Sequence, residues 1–333
     1  MTRSSTTLGL LIAIVAAATF GLSGALAKPL LESGWSPAAA VTARVLIGGI
    51  VLMPVAVYSL HGNWAVLWRA RWRVLLMALI GVAGTQFLYF AAIERIPVGS
   101  AVLIEYMAPL LLVALAWART RKLPQLVVLI GSSVALGGLV LVVSPGGAAS
   151  FDPLGLGLAL GAMVGCAVFY LVAARPSDGL PAVALAGFGL LLGSVLLGLV
   201  GVTGLVPFHA SVADVAMFGS VAPWWVPLLV IGVVATAVAY STSIIATAIL
   251  GSRLASFVGL LEVVAATFYA WLLLGERLTV PQLLGGALIL VGIAFVRSER
   301  TDAPIEPASV PPADDTDGSA AAAESAATAP SGR

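Results

Sequence analysis

Ala116-Trp117-Ala118-Arg119-Thr120-Arg121-Lys122 is followed by Gly131 and Gly138, and 154 residues further on Ala270-Trp271-Leu272-Leu273-Leu274-Gly275-Glu276 is followed by Gly285 and Gly292. The same offset sets Ala101 on Ala255, and no gap is needed along the stretch. Chance matches among Ala and Leu are common in apolar sequence, so the Trp and Gly pairs carry the weight. In each copy the glycines are seven apart, which places them on one helix face where backbones can approach closely. The chain therefore reads as a duplication.

Composition says what is duplicated. Of 333 residues, 60% are hydrophobic and 9% charged, and the mean hydropathy is +1.09. A soluble domain carries about 25% charged residues, so the bilayer is the natural solvent here. A spanning helix needs about 20 mostly apolar residues. Ten runs meet this: 8–27, 37–60, 73–93, 97–118, 124–143, 154–173, 182–203, 224–248, 253–274 and 281–297. Nine is the rival count, because only Glu94-Arg95-Ile96-Pro97 divides the third run from the fourth. Five spans per half is an odd number, so the second half must cross in the opposite sense. The expected fold is an all-α membrane protein of ten transmembrane helices in two inverted five-helix repeats, 1–147 and 148–297. Ala25-Leu26-Ala27 resembles a secretory cleavage site, but the apolar run before it exceeds an ordinary signal core, so an uncleaved helix is expected.

The net charge of +1 conceals two unlike parts. Up to Arg297 there are fourteen basic and eight acidic residues; from Ser298 onward there are two and seven. With the N-terminus inside, Arg3, Arg69, Arg71, Arg73, Arg119, Arg121, Lys122, Arg175, Arg253, Arg297 and Arg300 fall on the cytoplasmic side, and only Lys28, Arg95 and Arg277 on the outer side. That asymmetry is the positive-inside pattern, and it places both termini in the cytoplasm. Residues 298–333, rich in Ala, Pro, Asp, Ser and Thr, read as a disordered acidic tail.

Most enzyme classes are excluded. The single Cys166 rules out a multi-cysteine metal site, neither Lys28 nor Lys122 follows a glycine as in a phosphate-binding loop, and no His-Glu-x-x-His helix exists. Ser132-Ser133 and Ser194 lack a histidine base at membrane depth. No catalytic residue, metal or cofactor is expected. Inverted duplication is the architectural basis of alternating access, since two pseudo-equivalent halves can exchange inward-open and outward-open shapes.

Leu272-Leu273-Leu274-Gly275-Glu276-Arg277-Leu278-Thr279, followed by Leu284-Gly285-Gly286-Ala287-Leu288-Ile289-Leu290-Val291-Gly292, resembles the signature of the EamA family in the drug/metabolite transporter superfamily. In the first half, residues 94–109, ending Ile104-Glu105-Tyr106-Met107-Ala108-Pro109, look like the threonine/homoserine exporter branch. The resemblance implies ten helices in two inverted repeats, and a secondary transporter of small metabolites, often outward, in the inner (plasma) membrane. Two departures stand out: Glu262-Val263 where many relatives have Glu-Pro, and loss of the Gly-Glu-Arg turn from the first half.

An ionisable group at membrane depth is costly and is a site hypothesis by default. Arg44, Glu105 and Glu262 qualify. Arg44, Glu105 and Gln86 lie about 10–12 Å from the outer ends of their helices, a common depth on three helices. Glu262 lies about 13 Å from the inner end of its own. In a transporter, Glu105 would bind a substrate amine or a coupling proton and Arg44 a carboxylate; the alternative is an Arg44–Glu105 ion pair that only ties two helices together. Tyr89 shares a face with Gln86. Pro109 should clash with the carbonyl of Glu105 and kink the helix beside the carboxylate. Thr19, Ser23 and Tyr240-Ser241-Thr242-Ser243 could line the cavity, although hydroxyls in membrane helices commonly bond back to their own helix. The expected partners are a small-molecule substrate, the lipid bilayer and a coupling proton, with a homodimer left open and no nucleic acid. One Arg with carboxylates suits an amino acid or similar zwitterion better than a phosphate ester. Proton-coupled export is the leading reading; a non-transporting receptor or assembly protein, and an importer or exchanger of another metabolite, remain alternatives.

Overall fold

Lipid offers a backbone no hydrogen bonds, so apolar runs that cross it must fold as helices. A computed structural model describes residues 3–121, 125–143, 152–173, 179–243, 245–246, 249 and 260–298. The first half holds α1 (Arg3–Glu32), α2 (Pro37–Ser59), the short α3 (Trp64–Arg69) and α4 (Arg71–Leu76), α5 (Thr85–Ile93), α6 (Val98–Glu105), α7 (Ala108–Thr120) and α8 (Leu126–Val143). The second holds α9 (Pro153–Ala173), α10 (Ala182–Val202), α11 (Trp225–Gly232), α12 (Leu261–Leu274) and α13 (Val280–Ser298). Two segments are wound as π-helix, Met77–Gly84 between α4 and α5 and Val233–Val238 after α11. Among the described residues the only strands are β1 (Val215–Met217) and β2 (Ser220–Ala222), an antiparallel hairpin.

Seven helical stretches in the described residues are long and apolar enough to cross a membrane: Thr7–Glu32, Pro37–Ser59, Arg71–Ile93, Val98–Arg119, Pro153–Val172, Ala182–Val202 and Trp225–Ser243. Leu126–Val142, Leu261–Leu274 and Val280–Phe295 are apolar but shorter. The protein is a multi-pass all-α membrane protein. The first part of the expected run 253–274 falls on residues 251–259, outside the described residues, as does the acidic tail after Ser298.

Turn chemistry fixes the helix ends. Ser36 caps α2, its Oγ accepting from Ala39 N at 3.3 Å with Pro37 at the first helical position. The Ser36 Oγ also accepts from His209 N at 3.1 Å, and Trp35 Nε1 donates to the Ser211 carbonyl at 2.7 Å, so the loop bearing the hairpin is fastened onto the α1–α2 turn. Gly275 closes α12 in the left-handed region at φ 66°. Its counterpart at the 154-residue offset, Arg121, closes α7 at φ 54°. The first half has lost the glycine and kept the turn, against a cost of roughly 1–2 kcal/mol for a residue with a Cβ.

Helices pair in a pattern that repeats between the halves. α2 packs on α10 and α8 on α13; α1 packs on α11 and α12, while α9 packs on α5, α6 and α7. The α8–α13 contact is made by the duplicated glycines. A Cβ on Gly138 would lie 2.5 Å from the carbonyl oxygen of Gly285, and one on Gly292 would strike that of Gly131. Gly131 thus faces Gly292 and Gly138 faces Gly285, so the two helices run antiparallel. Small residues permit this backbone contact, which drives association where no hydrophobic effect acts between helices.

A further pair escaped the sequence reading. Ile80-Gly81-Val82-Ala83-Gly84-Thr85 and Ile231-Gly232-Val233-Val234-Ala235-Thr236 match at an offset of 151, which also sets Tyr89 on Tyr240. Each motif lies in or at the edge of its π segment. Thr85 Oγ1 donates to the Ile80 carbonyl at 2.8 Å and Thr236 Oγ1 to the Ile231 carbonyl at 3.0 Å, the same five-residue reach in both.

The glycine contact predicts that Gly138→Ala and Gly285→Ala each cost about 1–3 kcal/mol through overpacking, read as a lower thermal midpoint in detergent. Gly137→Ala should leave the midpoint where it is, because a Cβ there meets nothing within 4 Å.

Candidate functional site

Arg44 is buried on α2, and its surroundings are polar only where it needs them. Its Nη1 donates to Ser23 Oγ at 2.7 Å and to Gln86 Oε1 at 3.0 Å; its Nη2 donates to Thr236 Oγ1 at 3.2 Å. The guanidinium carbon lies 5.1 Å from the centroid of the Phe90 ring. Its Nε is buried without a hydrogen-bond partner among the described residues. Three elements therefore converge on one side chain: α1 through Ser23, the α5 span through Gln86 and Phe90, and the second π segment through Thr236.

Beside Arg44 is a cavity of about 40 Å³ lined by Phe20, Gly21, Ser23, Arg44, Gln86, Tyr89, Val102, Glu105, Glu262 and Ala266. One water needs on the order of 10–15 Å³, so the space suits a few waters and no larger solute. It is a small, largely polar chamber. Glu105, the last residue of α6, is buried on its wall and forms no hydrogen bond or ion pair among the described residues. The direct Arg44–Glu105 ion pair does not form. Glu262 enters from the first turn of α12.

Pro109 does not kink a continuous helix. The helical span breaks just after Glu105, at Tyr106-Met107, and Pro109 begins the next segment, in the first turn of α7. Across the break, Met107 N donates to Ile104 O at 3.1 Å and Leu110 N to Met107 O at 2.9 Å, a tightened three-residue spacing. The irregular backbone stands next to the carboxylate, where a membrane protein tolerates it because it borders a cavity.

Of the residues singled out from sequence, Ser23, Arg44, Gln86, Tyr89, Glu105 and Glu262 line this cavity. Tyr240 packs edge-on against Phe20, with ring centroids 5.0 Å apart. Ser241 stands apart: its Oγ donates to Ala237 O at 2.8 Å, back onto its own helix, as Thr19 and Thr242 also do. Thr236 was missed, although the repeated Ile-Gly-Val motif marks it.

A second cluster lies at the end of the bundle where α1 finishes and α6 begins. Lys28 Nζ and Glu276 Oε1 pair at 2.6 Å, and the Glu276 carboxylate accepts from Val98 N, with Oε2 at 3.0 Å. The left-handed Gly275 turns Glu276 toward both partners. A carboxylate at the unsatisfied N-terminus of α6 also meets the positive end of the helix dipole. Nearby, Arg95 Nη1 and Asp152 Oδ2 pair at 3.0 Å, and that hydrogen bond holds the Asp152 carboxyl below the usual range. Lys28, Leu31, Glu32, Glu94 and Arg95 line an open pocket of about 340 Å³ here. Burial pushes the Glu94 carboxyl above its ordinary value, with Arg95 and His209 pulling it back. Sequence reading assigned no role to Lys28 or Glu276.

The profile of the EamA-like transporter family matches residues 7–144 and again residues 153–298. The chain belongs to the EamA-like transporter family. Among similar proteins, the threonine/homoserine exporter RhtA of Escherichia coli K12 is 28% identical over 305 residues, covering 90% of this chain and 95% of its own. The inner membrane transporter YicL of Salmonella typhimurium is 26% identical, with 88% and 96% covered. The transporter YwfM of Bacillus subtilis is 27% identical, with 86% and 92% covered. A crystal structure of a 23% identical protein superimposes with a TM-score of 0.56 over 88% of this chain and 96% of that one, which shows the fold. This EamA-family chain is a multi-pass secondary transporter of small metabolites in the inner (plasma) membrane, and not an enzyme.

Removing one acceptor from Arg44 should be expensive. Thr236→Val keeps the shape and loses the hydroxyl, so it is expected to cost about 1.5–3 kcal/mol, the range for hydrogen bonds to charged groups. Thr242→Val, which loses only bonds to its own helix, serves as the reference; equal unfolding midpoints for the two variants in detergent would contradict this account.

Proposed function

We propose that this transporter moves an amino acid or a related zwitterion by alternating access, as a proton-coupled exporter, and that the chamber at Arg44 is its central site in an occluded state. The observation that carries the reading is the composition of that chamber. One guanidinium, its Nε without a partner among the described residues, and two carboxylates line a small space built from both halves of the chain. The basic group complements a substrate carboxylate; Glu105 or Glu262 complements an ammonium or carries a proton. Similarity to an exporter named for threonine and homoserine agrees with this class.

The scaffold proposed for the cycle is ten helices in two inverted repeats, 1–147 and 148–297, with both termini cytoplasmic and the tail 298–333 outside the membrane. Support comes from the family profile that matches twice, the antiparallel glycine contact of α8 with α13, the left-handed turns at Arg121 and Gly275, and the paired π segments. The cycle is complete within one chain, and a homodimer is not required by it.

In this orientation Lys28, Glu276 and the N-terminus of α6 lie on the outer side. Glu276 grips the start of an eight-residue helix whose other end carries Glu105. The Lys28–Glu276 contact then serves as the outer latch, joining the first half to the second, with Arg95–Asp152 as a more exposed tie beside it. Outward opening requires the latch to part, which frees α6 and with it the wall of the chamber.

Transport into or out of liposomes, with labelled amino acids and with or without a proton gradient, tests the substrate class. Glu105→Gln is expected to abolish gradient-driven flux and flatten its pH dependence while the protein stays monodisperse; unchanged flux and pH profile would remove Glu105 from the coupling step. The latch has its own readout. In a Cys166→Ala background, a cysteine at Val102 on the chamber wall should react with an impermeant thiol reagent added outside several times faster when Lys28→Met is present. Equal labelling rates with and without Lys28→Met would refute the latch without touching the substrate assignment.

A further inference from the structure

We propose that Trp68, Arg69, Arg71 and Trp72 form a binding site for the headgroup of an anionic phospholipid. The segment Trp64-Ala65-Val66-Leu67-Trp68-Arg69-Ala70-Arg71-Trp72-Arg73 has three tryptophans spaced by four and three arginines spaced by two, and the chain has no acidic residue between Glu32 and Glu94. The positive charge is therefore uncompensated along the chain. Neither Arg69 nor Arg71 forms an ion pair among the described residues.

The geometry sorts the segment into two faces. Val66, Ala70 and Val74 are buried against the bundle, while Trp64, Trp68 and Trp72 are 51%, 71% and 69% exposed. Ala70 separates α3 from α4 without reversing the chain, so the indoles stay on the outward side. The Arg71 guanidinium lies 5.2 Å from the ring centroid of Trp68 and 5.8 Å from that of Trp72, and its Nη1 donates to the Trp68 carbonyl at 3.2 Å. Stacking occupies the faces of the guanidinium and leaves N–H groups on its edge, the geometry that takes a phosphate. Arg69, two residues earlier, is exposed as well. Arg73 is turned away, with its Nε donating to Val172 O at 3.1 Å, so it belongs to the packing and not to the site.

Tryptophan favours the headgroup level of a bilayer, where its amphipathic ring bridges apolar and wet surroundings. That is also the depth of lipid phosphates. Each basic residue near an anionic leaflet contributes about 1 kcal/mol. Two exposed arginines in a segment of membrane-seeking indoles favour a lipid of net negative charge over a zwitterionic one.

The test is retention of phosphatidylglycerol against phosphatidylcholine by the purified full chain after extraction from mixed vesicles. The wild type should be enriched in phosphatidylglycerol, and Arg69→Gln/Arg71→Gln should lose that enrichment by roughly fivefold per arginine. Equal enrichment in the two proteins overturns the site. Inorganic phosphate that displaces the lipid more than chloride does at equal ionic strength also overturns it, in favour of a free-phosphate site. Should the double variant not fold, the wild type decides alone: its preference must fall as salt shortens the Debye length from about 10 Å to about 3 Å. A preference insensitive to salt refutes the proposal.

Discussion

A guanidinium cannot remain inside an apolar bundle unless its N–H groups are met, and Arg44 is met from three directions. Ser23, Gln86 and Thr236 lie far apart in the chain and are drawn to one point by that single demand. The rest of the architecture serves this convergence. α1 must pass close enough for a serine to reach, and glycine at position 48 lets Thr236 come against α2, where a Cβ would stand 2.5 Å from its methyl carbon. The charge is costly to bury, and the structure spends the Ser23 and Thr236 hydroxyls and the Gln86 amide on it, leaving Glu105 without a hydrogen-bond partner among the described residues.

Much of this was legible in the sequence because membrane helices obey few rules. Run length marked a multi-pass helical membrane protein, and the glycine spacing marked a close-packing face on each of α8 and α13 without naming its partner. Depth counting brought Arg44, Gln86 and Glu105 to one level, and they do share one chamber. What could not be read was how Arg44 would choose its partners. Depth along an axis says nothing of azimuth, so an ion pair with Glu105 stood beside substrate binding as a reading of Arg44, and its neutral partners Ser23, Gln86 and Thr236 were not foreseen. Pro109 was read by the usual rule of interior kinks, yet the helical span breaks two residues earlier, and the proline simply starts the next helix. Glu276 was legible as part of a motif but not as a ligand, because its partners Lys28 and Val98 are remote in sequence.

The two halves share scaffolding more than chemistry. The π segments, the left-handed turns and the glycine faces recur, and Tyr89 recurs as Tyr240. The polar side chains do not: Gln86 stands opposite Ala237, and Glu105 opposite Gly259, at the respective offsets. A symmetric frame thus surrounds an asymmetric site.

The π windings have a consequence for heredity. A helix advances about 100° per residue, and a π turn is what remains when one extra residue is accommodated inside an α-helix. Gln86 and Tyr89 follow Met77–Gly84, as Tyr240 follows Val233–Val238. Their facing toward the chamber is therefore set by residue count as much as by residue type. A deletion elsewhere in the span, which no such winding absorbs, would swing every following side chain by about 100°, removing Gln86 from Arg44 without altering a single polar residue. In this protein an insertion or deletion is a change of ligand.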